Sequence, residues 1–556
     1  MQLNSICCID CRPDIVASFR KLVPQVMDLR PGLHDYHFDL PSALQDTGFR
    51  PDAIIQHENL TRRVLVSGLD IYDCPKLYWG LDPHLNAHWQ SAYARLFDMT
   101  CSTQKRCITA LKSRGAADVR WLPWFAPEGR WLPWSKRNHK IAFVGRITPQ
   151  RPARKWMVAL LENKFRAATP AIRDGLPYPE MLSLYRDSML APNETIFHET
   201  NLRLFEAASC GCLVLNPDTG EEMEGLFVPG KEVELFDTIT DLQALLTRHL
   251  ANTRTAQAMG RAAFERTQAE HLITHRVEQL HAYIQDTGSH AAKGKDNEKW
   301  FWLSAFALLE AGLCGIAAGT VLSEVGKLKQ DPDVTTTLLK AQGMANNPQE
   351  ALNNLQALLA GRVHEQSQDV NLAGSMLALK MGREQPFWDC AKAFWYRHLQ
   401  AKGVRMPRPP HDTLQLRLFW AKELRKEGTI LRAGFPFDAS RHLPATAVEC
   451  LMAVLHEEPQ HLETLKLMET MTRDIRGLEQ TRVGYLSILT LFERNDWRMG
   501  LELAIANLRA FRLDQGLEEL AIARSLAQKQ GQLVHFTRAL KARDRMGQLQ
   551  KILEKA

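Results

Sequence analysis

The stretch at residues 203–215, RLFEAASCGCLVL, constrains this chain more than any other. Residues 203–209 read as a helix, Gly211 lets the backbone turn tightly, and residues 212–215 form a short apolar strand. In an α/β domain, a helix that runs through a glycine directly into a buried strand sets its acidic residue, here Glu206, beside a ligand crevice.

The surroundings of that stretch carry the same alternation. At 556 residues the chain is too long for one core, and three or four domains are expected. Before about residue 128, runs at 5–9, 53–56, 76–79, 99–102 and 119–122 read as strands, and 41–45, 86–96 and 103–113 as helices. That order implies a parallel sheet with crossover helices. A tandem RWLPW at 120–124 and 130–134, followed by the polar SKRNHK, suits a crossing between two lobes, and a new strand, IAFVGR, starts at Ile141. The second α/β pattern runs to about Ile284: strand, Gly145, a helix beginning near Pro152, another at 178–187, the glutamate helix with its strand, and a long helix at 255–285. Only 58 positions separate Gly145 from Arg203, so this lobe is expected to hold fewer strands than a full dinucleotide-type sheet.

Residues 286–297, DTGSHAAKGKDN, read as a polar linker, and everything after them as helix. Segments such as 349–359, 445–455 and 500–508 carry apolar residues at helical spacing, punctuated by Asp331-Pro332, Asn347-Pro348 and Glu458-Pro459. Ala447, Leu451 and Leu455 before Pro459 resemble the second helix of a tetratricopeptide repeat, although the tryptophan and glycine positions of its first helix are not cleanly kept. The expected layout is a first lobe at 1–135, a second at 136–287, a linker at 288–298 and a divergent helical-hairpin array at 299–556, divided near 405–411 by MPRPPH.

Charge and cysteine usage narrow the function classes. A net charge of +6 is small against 69 basic and 63 acidic residues, so no nucleic-acid partner is expected and any anion site must be local. Eleven scattered cysteines fit a reducing compartment, and cytoplasmic placement is the expectation. Cys8 and Cys11 make one C-x-x-C with no second pair at zinc-type spacing, which favours buried thiols on a strand. The N-terminus lacks the basic region and long apolar run of a secretory signal. The membrane-length stretch at 301–322 carries Glu310 at its centre and three glycines, so a buried helical hairpin is preferred and no transmembrane segment is expected.

The 203–215 passage, with FVGR at 143–146 and the abbreviated spacing between them, resembles the C-terminal nucleotide-sugar-binding half of the group 1 glycosyltransferases of the GT-B fold, particularly the spore-maturation CgeB-like branch. The resemblance covers residues 75–285 and is strongest at 201–215. It implies two Rossmann-like lobes, the first on the acceptor side; with the helical-hairpin repeat array read after them, the expected fold class is α/β followed by all-α. It also implies a hexosyltransferase-like enzyme that uses a nucleotide sugar, with UDP or GDP as the expected nucleotide, as substrate and needs no resident cofactor. The acceptor would be a protein, lipid or glycan, and the helical array would choose it or dock a protein partner.

Under this resemblance the carboxylate of Glu206 binds the donor's ribose hydroxyls through charge-assisted hydrogen bonds, each worth about 1.5–3 kcal/mol when buried. Arg203, one turn earlier, would orient it or reach phosphate; a surface Arg–Glu pair on an amphipathic helix is the alternative. Gly145 permits close backbone approach after a strand, and Arg146, Arg151 and Arg154 behind it would grip diphosphate oxygens at a helix N-terminus, where the family usually has a lysine. The alternative there is a solvated basic helix start. His198 stands eight positions before Glu206, where the family often has another glutamate, so that contact does not carry over. Gly220, in the loop 218–222, would offer backbone N–H groups to the donor or simply belong to an acidic turn.

In the first lobe Asp82 and His84 lie just past a strand's carboxyl end and would serve as base toward the acceptor hydroxyl. Equally, Asp82 would cap the helix that begins after it, with His84 in the first turn. His57 and Glu58 are weaker candidates of the same sort. Asp331-Pro332-Asp333 reads as a turn, so no metal is implied. The rival class is a noncatalytic binding or scaffold protein with degenerate transferase lobes; a nicotinamide-dependent oxidoreductase is disfavoured because no G-x-G-x-x-G follows a strand.

Overall fold

The computed structural model describes residues 3–149, 151–405 and 408–555. They divide into two compact units, Met1–Trp121 with His281–Met471, and Leu122–Leu280 with Thr472–Ala556. Residues 299–471 of the helical stretch belong to the first unit and 472–556 to the second. The expected break at 405–411 includes residues 406 and 407, which lie outside the described residues.

The first unit contains β1 (Ser5–Ile9), β2 (Gln25–Leu29), β3 (His37–Asp39), β4 (Ala53–His57), β5 (Leu65–Ser67), β6 (Lys76–Gly80), β7 (Met99–Ser102) and β8 (Val119–Trp121). Six of them form a parallel sheet in the order β2-β1-β4-β6-β7-β8, and β3 pairs with β5. β1, β4, β6 and β7 are buried at every position, which is why they read from sequence as short, mainly apolar runs. β2 and β3 carry charged, partly exposed residues and leave no such signal.

Cys7, Ile9, Ile54 and Tyr78 of this sheet share one core with Phe301, Ala305, Phe306 and Leu308 of the helix Lys295–Glu310 and with Val321 and Val325 of the helix Ala318–Lys327. These two helices are the hairpin expected at 301–322, and Glu310 is buried, 3.5 Å from both Lys340 and Arg432. Among the described residues no helix is long and apolar enough to cross a membrane. The polar linker is held down: backbone N–H groups of His290 and Ala291 donate to Asp98 Oδ1 at 2.7 and 2.9 Å. Asp331 caps the helix Pro332–Ala345 by accepting from the Val334 N–H, and both it and Asp333 pair with Lys299. Cys7, Cys8 and Cys11 are buried free thiols.

The second unit contains β9 (His139–Val144), β10 (Ala171–Arg173), β11 (Ser188–Pro192), β12 (Leu213–Pro217) and β13 (Val233–Phe236), a parallel sheet in the order β10-β9-β11-β12-β13. The long helix expected at 255–285 is two, Thr253–Glu270 and Ile273–Asp286. The break falls where the Ala126 N–H donates to the His271 carbonyl at 2.8 Å and Ala126 bridges to Leu272, so a passing strand segment interrupts the helical ladder. Ile141, Phe143, Leu190, Leu213, Leu215 and Phe236 form one core with Trp497, Leu501, Ile505, Leu508 and Phe511. The helix Trp497–Arg509 presents Trp497, Leu501, Ile505 and Leu508 as one apolar stripe, and that stripe packs with the sheet's core residues. The architecture is therefore α/β, with two parallel sheets, followed by a wholly helical stretch from Lys295 onward among the described residues.

The second RWLPW has a structural task in this unit. Trp134 Nε1 donates to the Gly211 carbonyl at 3.1 Å, and a Cβ on Gly211 would stand 2.7 Å from the Trp131 ring. With φ at +76°, Gly211 closes the tight turn between the helix Leu202–Ser209 and β12 under that indole.

Candidate functional site

The carboxyl ends of β9, β11, β12 and β13 open onto a cavity of about 400 Å³, the position at which open α/β sheets receive ligands. Thr148, Arg151 and Pro152 approach it from the loop after β9, residues 194–198 from the loop after β11, Pro217 from β12, and Phe236 and Asp237 from β13. The remaining wall is Gly477, Glu479, Gln480, Arg509, Ala510 and Phe511. No local sequence signal marked this second set, because the residues reach the cavity only through the packing of the last helices on the sheet.

The helix Pro152–Lys164 starts at the cavity with Pro152 at its first position and Arg151 before it, so its N-terminal N–H groups and one guanidinium face the same space. Arg154 lies one turn in and is buried. Its Nε donates to Glu194 Oε2 at 2.6 Å and its Nη1 to the Arg146 carbonyl at 3.0 Å, while Arg151 stands 3.7 Å from the same carboxylate. Burial, then the neighbouring Arg203, lower the Arg154 guanidinium to about 10 against the pull of Glu194, which leaves it charged at neutral pH. Glu194 is thus a resident anion between two cations. The sequence reading missed it because β11, SMLAP, was not recognised as the strand that ends just before it.

Arg203 is committed to the strand ends. Its Nε donates to the Val144 carbonyl at 3.0 Å and its Nη1 to Asn193 Oδ1 at 2.7 Å, with the guanidinium over the Phe143 ring. A Cβ on Gly145 would stand 2.6 Å from Arg203 Nη2 and 3.2 Å from Arg154 Nη1, so the glycine is what lets both side chains close over β9. Arg146 is exposed. Glu206, in the helix Leu202–Ser209 capped by Asn201, is 5% exposed and does not line the cavity; burial pushes the Tyr185 phenol up to about 12, against the pull of Arg203 and with the Glu206 charge adding to the rise. Gly220 opens a short turn with φ +63° and spends its N–H on Asp218 Oδ1 at 2.9 Å.

Phe197 and His198 both have φ of +53°, two consecutive side-chain-bearing residues in the left-handed region. A Cβ on Gly477 would stand 2.4 Å from Phe197 Cα, so backbone meets backbone there. His198 Nδ1 lies 2.8 Å from the Asp218 carbonyl, which only accepts, so Nδ1 carries the proton and Nε2 is the acceptor of the neutral ring. Glu479 Oε1 is 3.8 Å from that Nε2. On the opposite wall Arg476 and Arg509 flank Asp237 at 2.5 and 2.9 Å, and Phe511 packs on Phe236 with centroids 5.8 Å apart.

The first-lobe candidates belong to the other unit. Asp82 occupies the N-cap position of the helix Pro83–Tyr93 but makes no side-chain capping bond, and His84 is buried in the first turn. Beside them Glu58 accepts from the Leu81 N–H at 2.7 Å and Gln90 Nε2 at 2.8 Å; burial raises its carboxyl to about 7, and burial with Arg12 lowers His57 to about 3.

A family model described as glycosyl transferase-like matches residues 134–282, which include all five strands of the second sheet. No curated protein sequence matches the chain. Similar solved structures include a sucrose-phosphate synthase from Thermosynechococcus elongatus, 14% identical with a TM-score of 0.39, over 51% of this chain and 98% of that one. HepE from Anabaena, in complex with UDP and glucose, is 13% identical with a TM-score of 0.37, over 51% and 100%. A glycosyltransferase from Rickettsia africae is 8% identical with a TM-score of 0.37, over 51% and 99%. The part of this chain that carries the cavity's sheet is the part similar to the glycosyl transferase-like family.

Proposed function

We propose that the second unit binds a nucleotide-activated sugar, UDP- or GDP-linked, in the 400 Å³ cavity and that the chain transfers the sugar to a protein, lipid or glycan acceptor. The observation that carries this is the placement of the cavity at the carboxyl ends of β9, β11, β12 and β13, four strands that all lie in the segment the family model matches, with a helix N-terminus and Arg151 available to a diphosphate. Phe197, Phe236 and Phe511 give the same space apolar surface for a base or a sugar face, and Thr195, Glu479 and Gln480 give it hydroxyl-compatible polar groups. Glu206 remains the proposed ribose ligand; it stands outside the lining of the 400 Å³ cavity, so the ribose would extend past that lining toward the helix Leu202–Ser209, whose Arg203 bonds to the end of β9. For the acceptor's proton, Asp82 and His84 stay the proposed bases. The CgeB-like branch, a tetratricopeptide-like array that engages a protein partner, and a cytoplasmic setting belong to the same proposal.

Calorimetric titration of the full chain with UDP- and GDP-sugars tests it. Binding is expected, and Glu206→Ala is expected to weaken it at least tenfold; unchanged affinity removes the Glu206 assignment. A second reading, a noncatalytic binding protein, is favoured by one feature: Glu194 already offsets one of the two positive charges of Arg151 and Arg154 where phosphate charge would be met. Retained binding without hydrolysis or transfer across a panel of nucleotide sugars would support that reading over the enzyme.

A further inference from the structure

The helical part of the first unit encloses a cavity of about 340 Å³ that the transferase reading does not use. It lies among the ends of the helices Gln368–Met381, Thr413–Lys426 and Ala447–Glu457, and three cations line it: Lys380, Arg383 and Arg417. Lys380 Nζ donates to two neutral acceptors, the carbonyls of Ala439 at 3.0 Å and Ser440 at 2.7 Å. Arg383 and Arg417 converge on a single oxygen, Glu457 Oε2, Arg417 at 2.7 Å. Among the lining residues one carboxylate therefore faces three cations, an excess of two. Two further carboxylates stand outside the lining on the adjoining turns: Asp438, whose charge acts on Lys380, accepts from the N–H and hydroxyl of Ser440, and Glu384 accepts from the Arg383 N–H.

The uncharged side chains around this space also lean toward donation. His442 Nδ1 accepts from the Asp438 N–H at 3.0 Å, so the proton of the neutral ring sits on Nε2. That Nε2 and Trp420 Nε1 belong to two of the lining side chains, are buried, and have no hydrogen-bond partner among the described residues. A buried donor left unsatisfied carries a desolvation cost that an accepting ligand would recover. Lining groups that are cations or N–H donors, set against one carboxylate, are suited to a ligand whose atoms only accept.

We propose that this cavity binds a small phosphorylated molecule through its phosphoryl group. A phosphoryl dianion matches the excess of two charges, its oxygens accept without donating, and arginine forks suit their geometry. A carboxylate would leave one charge unmatched. The volume exceeds what a phosphoryl group fills and leaves room for an attached group of a few carbons to a sugar. Nothing here depends on the glycosyltransferase reading, since every residue named lies outside the second unit.

The test is calorimetric titration of the full chain with inorganic phosphate, with glycerol 3-phosphate and with acetate, repeated on Lys380→Gln and Arg383→Gln. Arg383 is 57% exposed and Lys380 is partly exposed, so both variants are expected to keep the wild-type melting temperature. The proposal expects phosphate or its ester to bind, acetate to bind at least tenfold more weakly, and each substitution to weaken the phosphorylated ligand at least tenfold. Tighter binding of the ester assigns an organic phosphate, and binding of inorganic phosphate alone assigns the free ion. No binding by either, acetate binding as tightly as phosphate, or binding undiminished in both folded variants would overturn it.

Discussion

Glu194→Gln separates a donor site from a merely structural ion pair, because the donor reading predicts a gain of binding. The carboxylate stands 2.6 Å from Arg154 and 3.7 Å from Arg151. A phosphate oxygen that contacts Arg151 from the cavity side lies about 3 Å beyond that guanidinium, hence about 7 Å from the Glu194 charge, and two like charges at that distance repel by about 0.6 kcal/mol at ε near 80 and about 2.4 at ε near 20. Removing the charge while keeping the shape should therefore tighten UDP or GDP binding by roughly 3- to 60-fold. The same change weakens the bond to Arg154 from charge-assisted to ordinary, so a stability loss of about 1–2 kcal/mol is expected in a urea titration. The assay is calorimetry with UDP and GDP at low salt on folded protein, with the melting curve as control. Unchanged or weaker nucleotide binding in a folded Glu194→Gln chain would refute the reasoning.

Other outcomes follow from the same geometry. Glu58, with its carboxyl raised to about 7, keeps its proton in the native chain at pH values where an unfolded chain, with a glutamate near 4.5, has lost it. Its contribution to stability therefore falls as pH rises from about 4.5 to about 7, by up to about 3 kcal/mol, and Glu58→Gln should gain more over wild type at pH 8 than at pH 4.5 in urea midpoints; an equal gain at both contradicts the assignment. Gly477→Ala forces a residue with φ of +93° to carry a Cβ 2.4 Å from Phe197 Cα, and a loss of at least about 2 kcal/mol is expected by thermal melting. Ending the chain after Met471 removes Trp497, Leu501 and Ile505 from the core around Phe236, so limited proteolysis should cut 122–280 far faster than in the full chain; equal protection would mean the last helices are dispensable to that sheet.

The parts of the fold that were legible in the sequence are those whose cause is local. Ser5–Ile9 and Met99–Ser102 are buried on both faces and were readable to the residue as apolar runs. The turn at Gly211 was readable because only glycine suits φ +76° beneath an indole. Asp331 was read as part of a turn and serves as a helix cap, a neighbouring use of the same short side chain. What escaped has distant causes: the helix break at His271 falls where Ala126 pairs with it, and a third of the cavity's lining residues are brought in from residues 477–511. Among the candidate residues, Arg151 lines the cavity and Arg154 braces Glu194 beside it, whereas Arg203 and Gly145 hold the strand end and Glu206 is buried outside the lining. Sequence spacing placed these groups near one sheet edge; which of them face the open space depends on side-chain partners that no pattern encodes.

Hydrogen exchange of the full chain with and without a saturating UDP- or GDP-sugar tests the central claim most directly. The account predicts slowed exchange at amides of 148–154 and 194–198, together with 477–480 and 509–511 across the cavity. Binding that leaves these segments unchanged, or no binding by any nucleotide sugar, would contradict it.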